Sequence, residues 1–186
     1  GLTLNRIARA FGLAAAARNR LLIVGASPWS TGFAQALCDS GASVLLVDNS
    51  WHRLRAARLA GVPVYYGEIL SESAEESLEL HDVGMLLAAT SNDAYNALVC
   101  TAFAPQLGRG QVFQLPMYAA EAGDPKRYSP GSRGRLAFAE NALYEDLWRW
   151  LTQGWNFQKT RLSESYGYEH YMKGCAEGTL QLLALH

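Results

Sequence analysis

Five short, largely apolar runs recur along the chain and are separated by stretches of helical periodicity. The runs cover residues 21–24, 44–47, 62–66, 85–89 and 111–115. Runs of this length and composition are typical of strands buried on both faces of a parallel sheet. The helical stretches between them cover residues 29–40, 51–60, 71–81 and 94–105. This alternation predicts an α/β fold, a Rossmann-like doubly wound parallel sheet with strand order 3-2-1-4-5.

The composition changes after Pro116, where proline and glycine become frequent. The predicted parts are, in chain order, a linker helix in 1–19, the Rossmann-like domain in 20–116, a linker in 117–135 and a small α+β element in 136–186. The last element combines helical spacing over 136–153 with strand-like runs at 155–162 and 179–185. Because the chain lacks an initiator Met and stops within an apolar run, we expect a piece of a longer protein with a truncated C-terminal element.

Charge and cysteine content exclude several classes of protein. Sixteen Lys and Arg against 17 Asp and Glu give a net charge of -1, so the basic surface of a general nucleic-acid binder is absent. Cys38, Cys100 and Cys175 are far apart and form neither a disulfide framework nor a CxxC motif, which favours a reducing compartment. No apolar run approaches the ~20 residues needed to span a bilayer. We therefore expect the fragment itself to be soluble.

The first strand is followed by a variant of the glycine-rich phosphate-binding turn. Gly25 occupies the first glycine position of the G-x-G-x-x-G pattern, whereas Ser27 and Ser30 occupy the second and third. Each serine adds a Cβ and a hydroxyl, which either narrows the approach of a phosphate or donates a hydrogen bond to it. The strand before this turn and the helix after it predict a dinucleotide site, with the phosphates at the helix N-terminus.

Asp48 ends the second predicted strand, where an acid commonly reaches the ribose hydroxyls of a nucleotide. A carboxylate there accepts hydrogen bonds from the ribose and repels a 2′-phosphate. NAD(H), AMP or ADP is therefore predicted to fit better than NADP(H). The alternative is a turn acid or helix cap ahead of the helix at 51–60.

Four segments of this part resemble the potassium-transport nucleotide-binding (RCK/KTN) domain. They are Ile-Val-Gly-Ala at 23–26, Leu-Val-Asp-Asn at 46–49, Ala-Gly-Val-Pro-Val at 60–64 leading to Tyr-Gly-Glu-Ile at 66–69, and Ala-Ala-Thr-Ser-Asn-Asp-Ala-Tyr-Asn at 88–96. Trp29, the segment at 65–72 and Gln-Leu-Pro at 114–116 are similar to the cytoplasmic C-terminal region of bacterial sodium/proton (monovalent cation:proton) antiporters.

This resemblance implies a regulatory module that senses NAD(H) or AMP, ADP or ATP and performs no chemistry on it. It also implies a transmembrane antiporter domain in the same chain, a position at the cytoplasmic face of the inner membrane, and a homodimer. The residues implied in binding are Gly25, Ala26, Ser27, Trp29, Ser30, Asp48, Asn49, Glu68, Ile69, Thr90, Ser91 and Asn92. The glycine and the serines of the first turn would face phosphates, Asp48 the ribose, and Asn49 with the Glu68-Ile69 pair the adenine.

No catalytic or metal site is predicted. None of the three lysines follows a tyrosine at the Tyr-x-x-x-Lys spacing of short-chain dehydrogenases, and no nucleophile has a neighbouring base. The histidines at 52, 81 and 170 lack metal-ligand spacing, and the acidic run at 72–82 is expected to be an exposed helix face. Two alternatives stay open, an NAD(H)-dependent oxidoreductase with substrate residues in the C-terminal element and a ligand-free dimerisation module.

Overall fold

The computed structural model describes residues 18–78, 80–118, 128–138, 142–158, 163–164 and 167–177. The helix predicted at 4–19 and the strand-like run predicted at 179–185 lie outside these residues, except for Arg18 and Asn19, which are not helical. None of the helices in the described part of the chain is long and apolar enough to cross a membrane.

Six parallel strands form the central sheet. They are β1 (Arg20–Val24), β2 (Val44–Asp48), β3 (Val64–Tyr66), β4 (Val83–Ala88), β5 (Val112–Gln114) and β6 (Arg135–Leu136). Their order across the sheet is β3-β2-β1-β4-β5-β6, and every neighbouring pair is parallel. The predicted fold class and the predicted order of the first five strands are confirmed, and the sheet gains a sixth strand.

Six helices accompany the sheet in the described residues. They are α1 (Pro28–Asp39), α2 (Trp51–Leu59), α3 (Glu72–Ser77), α4 (Asp93–Leu107), α5 (Tyr144–Thr152) and α6 (Tyr168–Ala176). The helix predicted at 71–81 is wrong in length, because α3 ends at Ser77 and Leu78 takes an extended conformation (φ -90°, ψ 124°). The chain then makes a separate 3-10 turn at Leu80–Asp82 before β4.

The sheet separates two apolar layers, which explains why its central strands are uniformly apolar. Ile23 of β1 belongs to one layer, with residues of α1, α2 and α5. Leu22 and Val24, which point to the opposite face, belong to the other layer with residues of α4. All three side chains are buried. Burial on both faces is the environment that the apolar runs predict.

Strand β6 lies at the end of the segment predicted as a linker. Phe113 of β5 pairs with Arg135, and Gln114 pairs with Leu136. The approach to β6 is tight, because a Cβ on Gly134 would lie 2.6 Å from the Cys100 Sγ. A two-residue strand carries too little hydrophobic pattern to be predicted from sequence.

The residues after β6 pack against α1. Trp29 and Phe33 of α1 stack with ring centroids 5.1 Å apart, and Phe138 and Phe157 meet the Trp29 ring at 5.7 and 6.2 Å. Phe157 lies in the described part of the run predicted as a strand at 155–162. That prediction is wrong for residues 155–158, which are irregular because their aromatic side chains pack into other elements rather than alternating across a sheet.

Candidate functional site

The sheet reverses its strand order at β1, which lies between β2 and β4. In open α/β sheets, ligands bind outside the carboxyl ends of the strands at this point, because the loops leave to opposite sides and open a crevice. Three predicted site segments lie there. They are the turn after β1, the end of β2 at Asp48, and the turn after β4 at Thr90.

Gly25 brings the turns after β1 and β4 into contact. Its φ of +109° is a backbone conformation that residues with a Cβ rarely adopt. A Cβ at this position would lie 2.7 Å from Thr90 Cγ2 and 2.8 Å from the Thr90 backbone nitrogen. The glycine at the first position of the motif is therefore required both by its own conformation and by the neighbouring loop.

Ser27 and Ser30 close the start of α1 as a reciprocal cap. The Ser27 hydroxyl accepts a hydrogen bond from the Ser30 N–H at 3.1 Å, and the Ser30 hydroxyl accepts one from the Ser27 N–H at 2.8 Å. Ser30 Oγ also lies 2.8 Å from the Gly25 carbonyl oxygen, to which it donates. Ser30 is fully buried and Ser27 nearly so. In this structure both hydroxyls bind within the turn itself.

Asp48 ties the end of β2 to the turn after β1. Its Oδ2 accepts a hydrogen bond from the Ala26 N–H at 2.8 Å, and its Oδ1 accepts one from the Ser50 N–H at 2.7 Å. The Arg53 guanidinium forms an ion pair with the same carboxylate, with Nη2 3.0 Å from Oδ1. The Asp48 side chain is only 5% exposed. These donors therefore offset the free-energy cost of burying its negative charge.

A second set of polar contacts joins the ends of β2 and β3 to α4. Asn49 Nδ2 lies 3.4 Å from Glu68 Oε2, and the Leu70 N–H donates to Glu68 Oε1 at 3.3 Å. The Tyr95 hydroxyl of α4 donates a short hydrogen bond to the same Oε1. Burial first, and then the hydrogen bond and charge of Glu68, raise the pKa of Tyr95 above its ordinary value. Glu68 thus links the turn after β3 to α4.

The raised pKa of Tyr95 predicts a loss of stability at alkaline pH. Above about pH 10 the unfolded chain releases the tyrosine proton while the folded protein retains it, so the free energy of unfolding falls as pH rises. Urea unfolding from about pH 9 to 11 should therefore show a steeper loss for the wild type than for Tyr95→Phe. Tyr118→Phe, at an exposed tyrosine, is the control. If the free energy of unfolding fell equally steeply with pH in the wild type and in Tyr95→Phe, the raised pKa of Tyr95 in contact with Glu68 would be contradicted.

Asn96 holds the turn after β4 from inside α4. Its Oδ1 accepts from the Thr90 N–H at 3.1 Å and from the Thr90 hydroxyl at 2.6 Å, and its Nδ2 donates to the Thr90 carbonyl at 2.9 Å. Asn96 is completely buried. Asn92 caps the same helix by accepting from the Tyr95 N–H at 3.0 Å. The position of Thr90 beside Gly25 is therefore set by a buried amide that makes three hydrogen bonds to Thr90.

The structure brings together part of the predicted site and places the rest elsewhere. Gly25, Ala26 and Asp48 meet at the switch point, while Asn49 and Glu68 meet beside it. Other predicted residues lie apart from these contacts. Trp29 and Ile69 are 3% and 4% exposed within the two apolar layers, whereas Ser91 is exposed in the turn after β4.

Three residues of the site were absent from the predicted set. Arg53 binds Asp48 from one turn into α2, Tyr95 binds Glu68, and Asn96 binds Thr90. Tyr95 and Asn96 are in the segment 88–96 that carries the resemblance, so their positions in that motif were an available signal. Arg53 had no such signal, because its contact depends on how α2 leaves the sheet.

Among the described residues, no group of three His, Cys, Asp or Glu side chains could hold a metal ion. Cys100 of α4 is buried against β5, and burial raises the pKa of its thiol to about 12. A thiol with that pKa stays protonated at neutral pH and is a poor nucleophile.

The six-stranded parallel sheet, with the order β3-β2-β1-β4-β5-β6, defines a Rossmann-like α/β fold. Residues 21–112 match the family model of the TrkA-N domain. The match confirms the predicted type of nucleotide-binding domain across most of the predicted stretch 20–116. No curated protein sequence matches the chain significantly.

Solved structures that are similar to this chain are distant in sequence. The NAD(P)-binding domain of an exopolyphosphatase-related protein from Archaeoglobus fulgidus is 18% identical, with a TM-score of 0.50 over 73% of this chain and 98% of that one. Leucoanthocyanidin reductase from Vitis vinifera is 17% identical, with a TM-score of 0.40 over 73% of this chain and 41% of that one. At these identities the comparison with the archaeal domain supports the fold alone.

Proposed function

We propose that this chain is the nucleotide-binding regulatory part of a monovalent cation/proton antiporter or potassium transport system. The observation that carries the proposal is Asp48. This buried carboxylate ends β2, accepts the Ala26 N–H of the turn after β1, and lies at the switch point of a TrkA-N domain. An acid in that place is suited to ribose hydroxyls. The ligand is an adenine nucleotide or dinucleotide.

The contacts around Asp48 suggest how the ligand would lie. Its ribose would approach Asp48 where the Arg53 side chain now sits, since Arg53 is the exposed partner of that carboxylate. Its phosphates would extend along the turn that begins at Gly25. Its adenine would lie toward Asn49 and Glu68, whose side chains meet just beyond the carboxyl ends of β2 and β3. This chain's residues would bind and orient the nucleotide and perform no chemistry on it.

In the intact protein, binding would act as a population shift. The domain would form a homodimer at the cytoplasmic face of the membrane, attached through residues 1–19 to a transport domain in the same chain. A nucleotide that binds one dimer arrangement more tightly would favour that arrangement by its difference in affinity. The segment 1–19 would transmit the change to the transporter.

Isothermal titration calorimetry of the chain with NAD⁺, NADH, NADP⁺, AMP, ADP and ATP tests this proposal. At least one nucleotide should bind, and Asp48→Ala should weaken its binding by about tenfold or more, because charge-assisted hydrogen bonds are lost. Asp39→Ala removes an exposed acid at the end of α1 and is the matched control. Binding that is unaffected by Asp48→Ala would place the ligand elsewhere and contradict the proposal.

A ligand-free dimerisation module is the second candidate. One observation favours it, namely that the hydroxyls of Ser27 and Ser30 and the carboxylate of Asp48 all have partners within the chain. A relic site whose polar groups bind each other would look the same. This candidate would be favoured over nucleotide sensing if none of the six nucleotides gave a heat of binding and the chain sedimented as a dimer in analytical ultracentrifugation.

A further inference from the structure

The carboxylate of Asp48 is held by three donors of this chain. Oδ1 receives the Ser50 N–H at 2.7 Å, and Oδ2 receives the Ala26 N–H at 2.8 Å. Arg53 Nε is shared between Oδ1 at 3.1 Å and Oδ2 at 3.2 Å, and Arg53 Nη2 forms an ion pair with Oδ1 at 3.0 Å. A carboxylate offers about four lone-pair positions, so these donors occupy most of them.

Of these donors, only Arg53 is free to move. The Ala26 and Ser50 donors belong to the backbone of two packed turns. The Arg53 side chain is 55% exposed and lies on the outer side of α2. A ribose that approaches Asp48 from solvent therefore meets the Arg53 guanidinium, which can move aside and remain beside the same ribose.

Because Arg53 forms an ion pair with Asp48, the Asp48 carboxylate is no longer expected to repel a 2′-phosphate. Asp48 and Arg53 together carry no net charge, and α2 holds three arginines and no acid. The guanidinium of Arg53 donates to Asp48 through Nε and to Asn49 Oδ1 through Nη2 at 3.3 Å. Nη1 makes no hydrogen bond in the described part of the chain. An arginine near the end of β2 is the kind of residue that accommodates the 2′-phosphate of NADP.

We propose that Arg53 determines nucleotide specificity and that the site takes adenine nucleotides carrying a 2′-phosphate, such as NADP(H), in preference to those with a free 2′-hydroxyl. On binding, the guanidinium leaves Asp48 for the phosphate, whose oxygens it matches in a two-point contact. The carboxylate it leaves then accepts the neighbouring 3′-hydroxyl. The proposal rests on the proposed function, because it assumes that an adenine nucleotide binds at Asp48.

The test compares AMP with adenosine 2′,5′-bisphosphate, which differ only in the 2′-phosphate. Calorimetry on the wild-type chain should give a dissociation constant for the bisphosphate about tenfold lower than for AMP, a ratio typical of a charge-assisted contact. Arg53→Ala should weaken the binding of the bisphosphate by about tenfold. The same variant should bind AMP as tightly as the wild type or more tightly, because Arg53 no longer competes with the ribose for Asp48. Arg53→Lys should keep only part of the preference, since a lysine has no guanidinium fork.

Arg55→Ala is the matched control, because it removes an equally exposed charge from the same helix. A bisphosphate preference that Arg53→Ala leaves intact, or that Arg55→Ala reduces equally, overturns the role of Arg53 as a specific partner. Binding of AMP at least as tight as the bisphosphate overturns the proposed preference while the proposed function stands. If neither of these two nucleotides binds, this inference fails, whereas the proposed function is decided by the titration with the six nucleotides given above.

Discussion

Replacing Trp29 by alanine should lower the free energy of unfolding by about 3–5 kcal/mol, the usual cost of removing a large buried aromatic side chain. Trp29 is 3% exposed and contacts the rings of Phe33, Phe138 and Phe157. The loss is measured by urea unfolding followed by circular dichroism. Because these rings belong to α1 and to the residues after β6, the variant should also loosen the contact between them.

Trp148→Ala is the control for this prediction, since Trp148 lies on α5 and is 37% exposed. It should cost clearly less than Trp29→Ala. Nucleotide affinity of Trp29→Ala, measured well below its melting temperature, should remain close to that of the wild type, since the side chain packs in the core. Equal losses for the two tryptophan variants would contradict the buried aromatic cluster.

Gly25→Ala should destabilise the protein by about 3 kcal/mol and prevent nucleotide binding. The positive φ alone costs a residue with a Cβ about 1–2 kcal/mol, and forcing a methyl group into packed surroundings adds about 1–3 kcal/mol. Here the methyl group would lie 2.7–2.9 Å from atoms of Thr90 and Ala89. The turn after β1 and the turn after β4 would have to separate. Chemical denaturation and calorimetry measure the two effects.

Gly41→Ala separates the two causes. Gly41 also has a positive φ, +88°, but a Cβ there would meet nothing within 4 Å. This variant should lose only the smaller amount due to backbone strain and should bind nucleotide like the wild type. If Gly25→Ala cost no more than Gly41→Ala, the close approach between Gly25 and Thr90 would be wrong.

The strands of the sheet were predictable because burial on both faces leaves a uniform apolar run in the sequence. The run at 21–24 corresponds to β1, and the run at 44–47 to β2. Strand β6 left no such trace, because it consists of two residues and depends on the close approach of Gly134 to Cys100. Its position follows from tertiary packing that no local pattern encodes.

The candidate site was predictable where a residue type follows from backbone geometry. Gly25 and Asp48 were found because a tight turn requires a glycine and because Asp48 ends a recognisable strand. The Arg53 partner of Asp48 was not found, since its contact depends on the direction in which α2 leaves the sheet. Trp29 was included in the predicted site because of the resemblance, although its spacing in the sequence indicates the core. Its spacing of four residues from Phe33 places both on one face of α1, and that face packs into the core.

The location of a bound nucleotide is best measured by NMR on ¹⁵N-labelled protein titrated with adenosine 2′,5′-bisphosphate and with NAD⁺. We expect the largest amide shift changes at Ala26 and Ser50, which donate to Asp48, and at Gly25 and Thr90, which meet beside them. Amides of α5, on a different part of the surface, should change little. Changes centred on α5, or no changes with either ligand, would contradict the claim that the crevice at β1 is a nucleotide site.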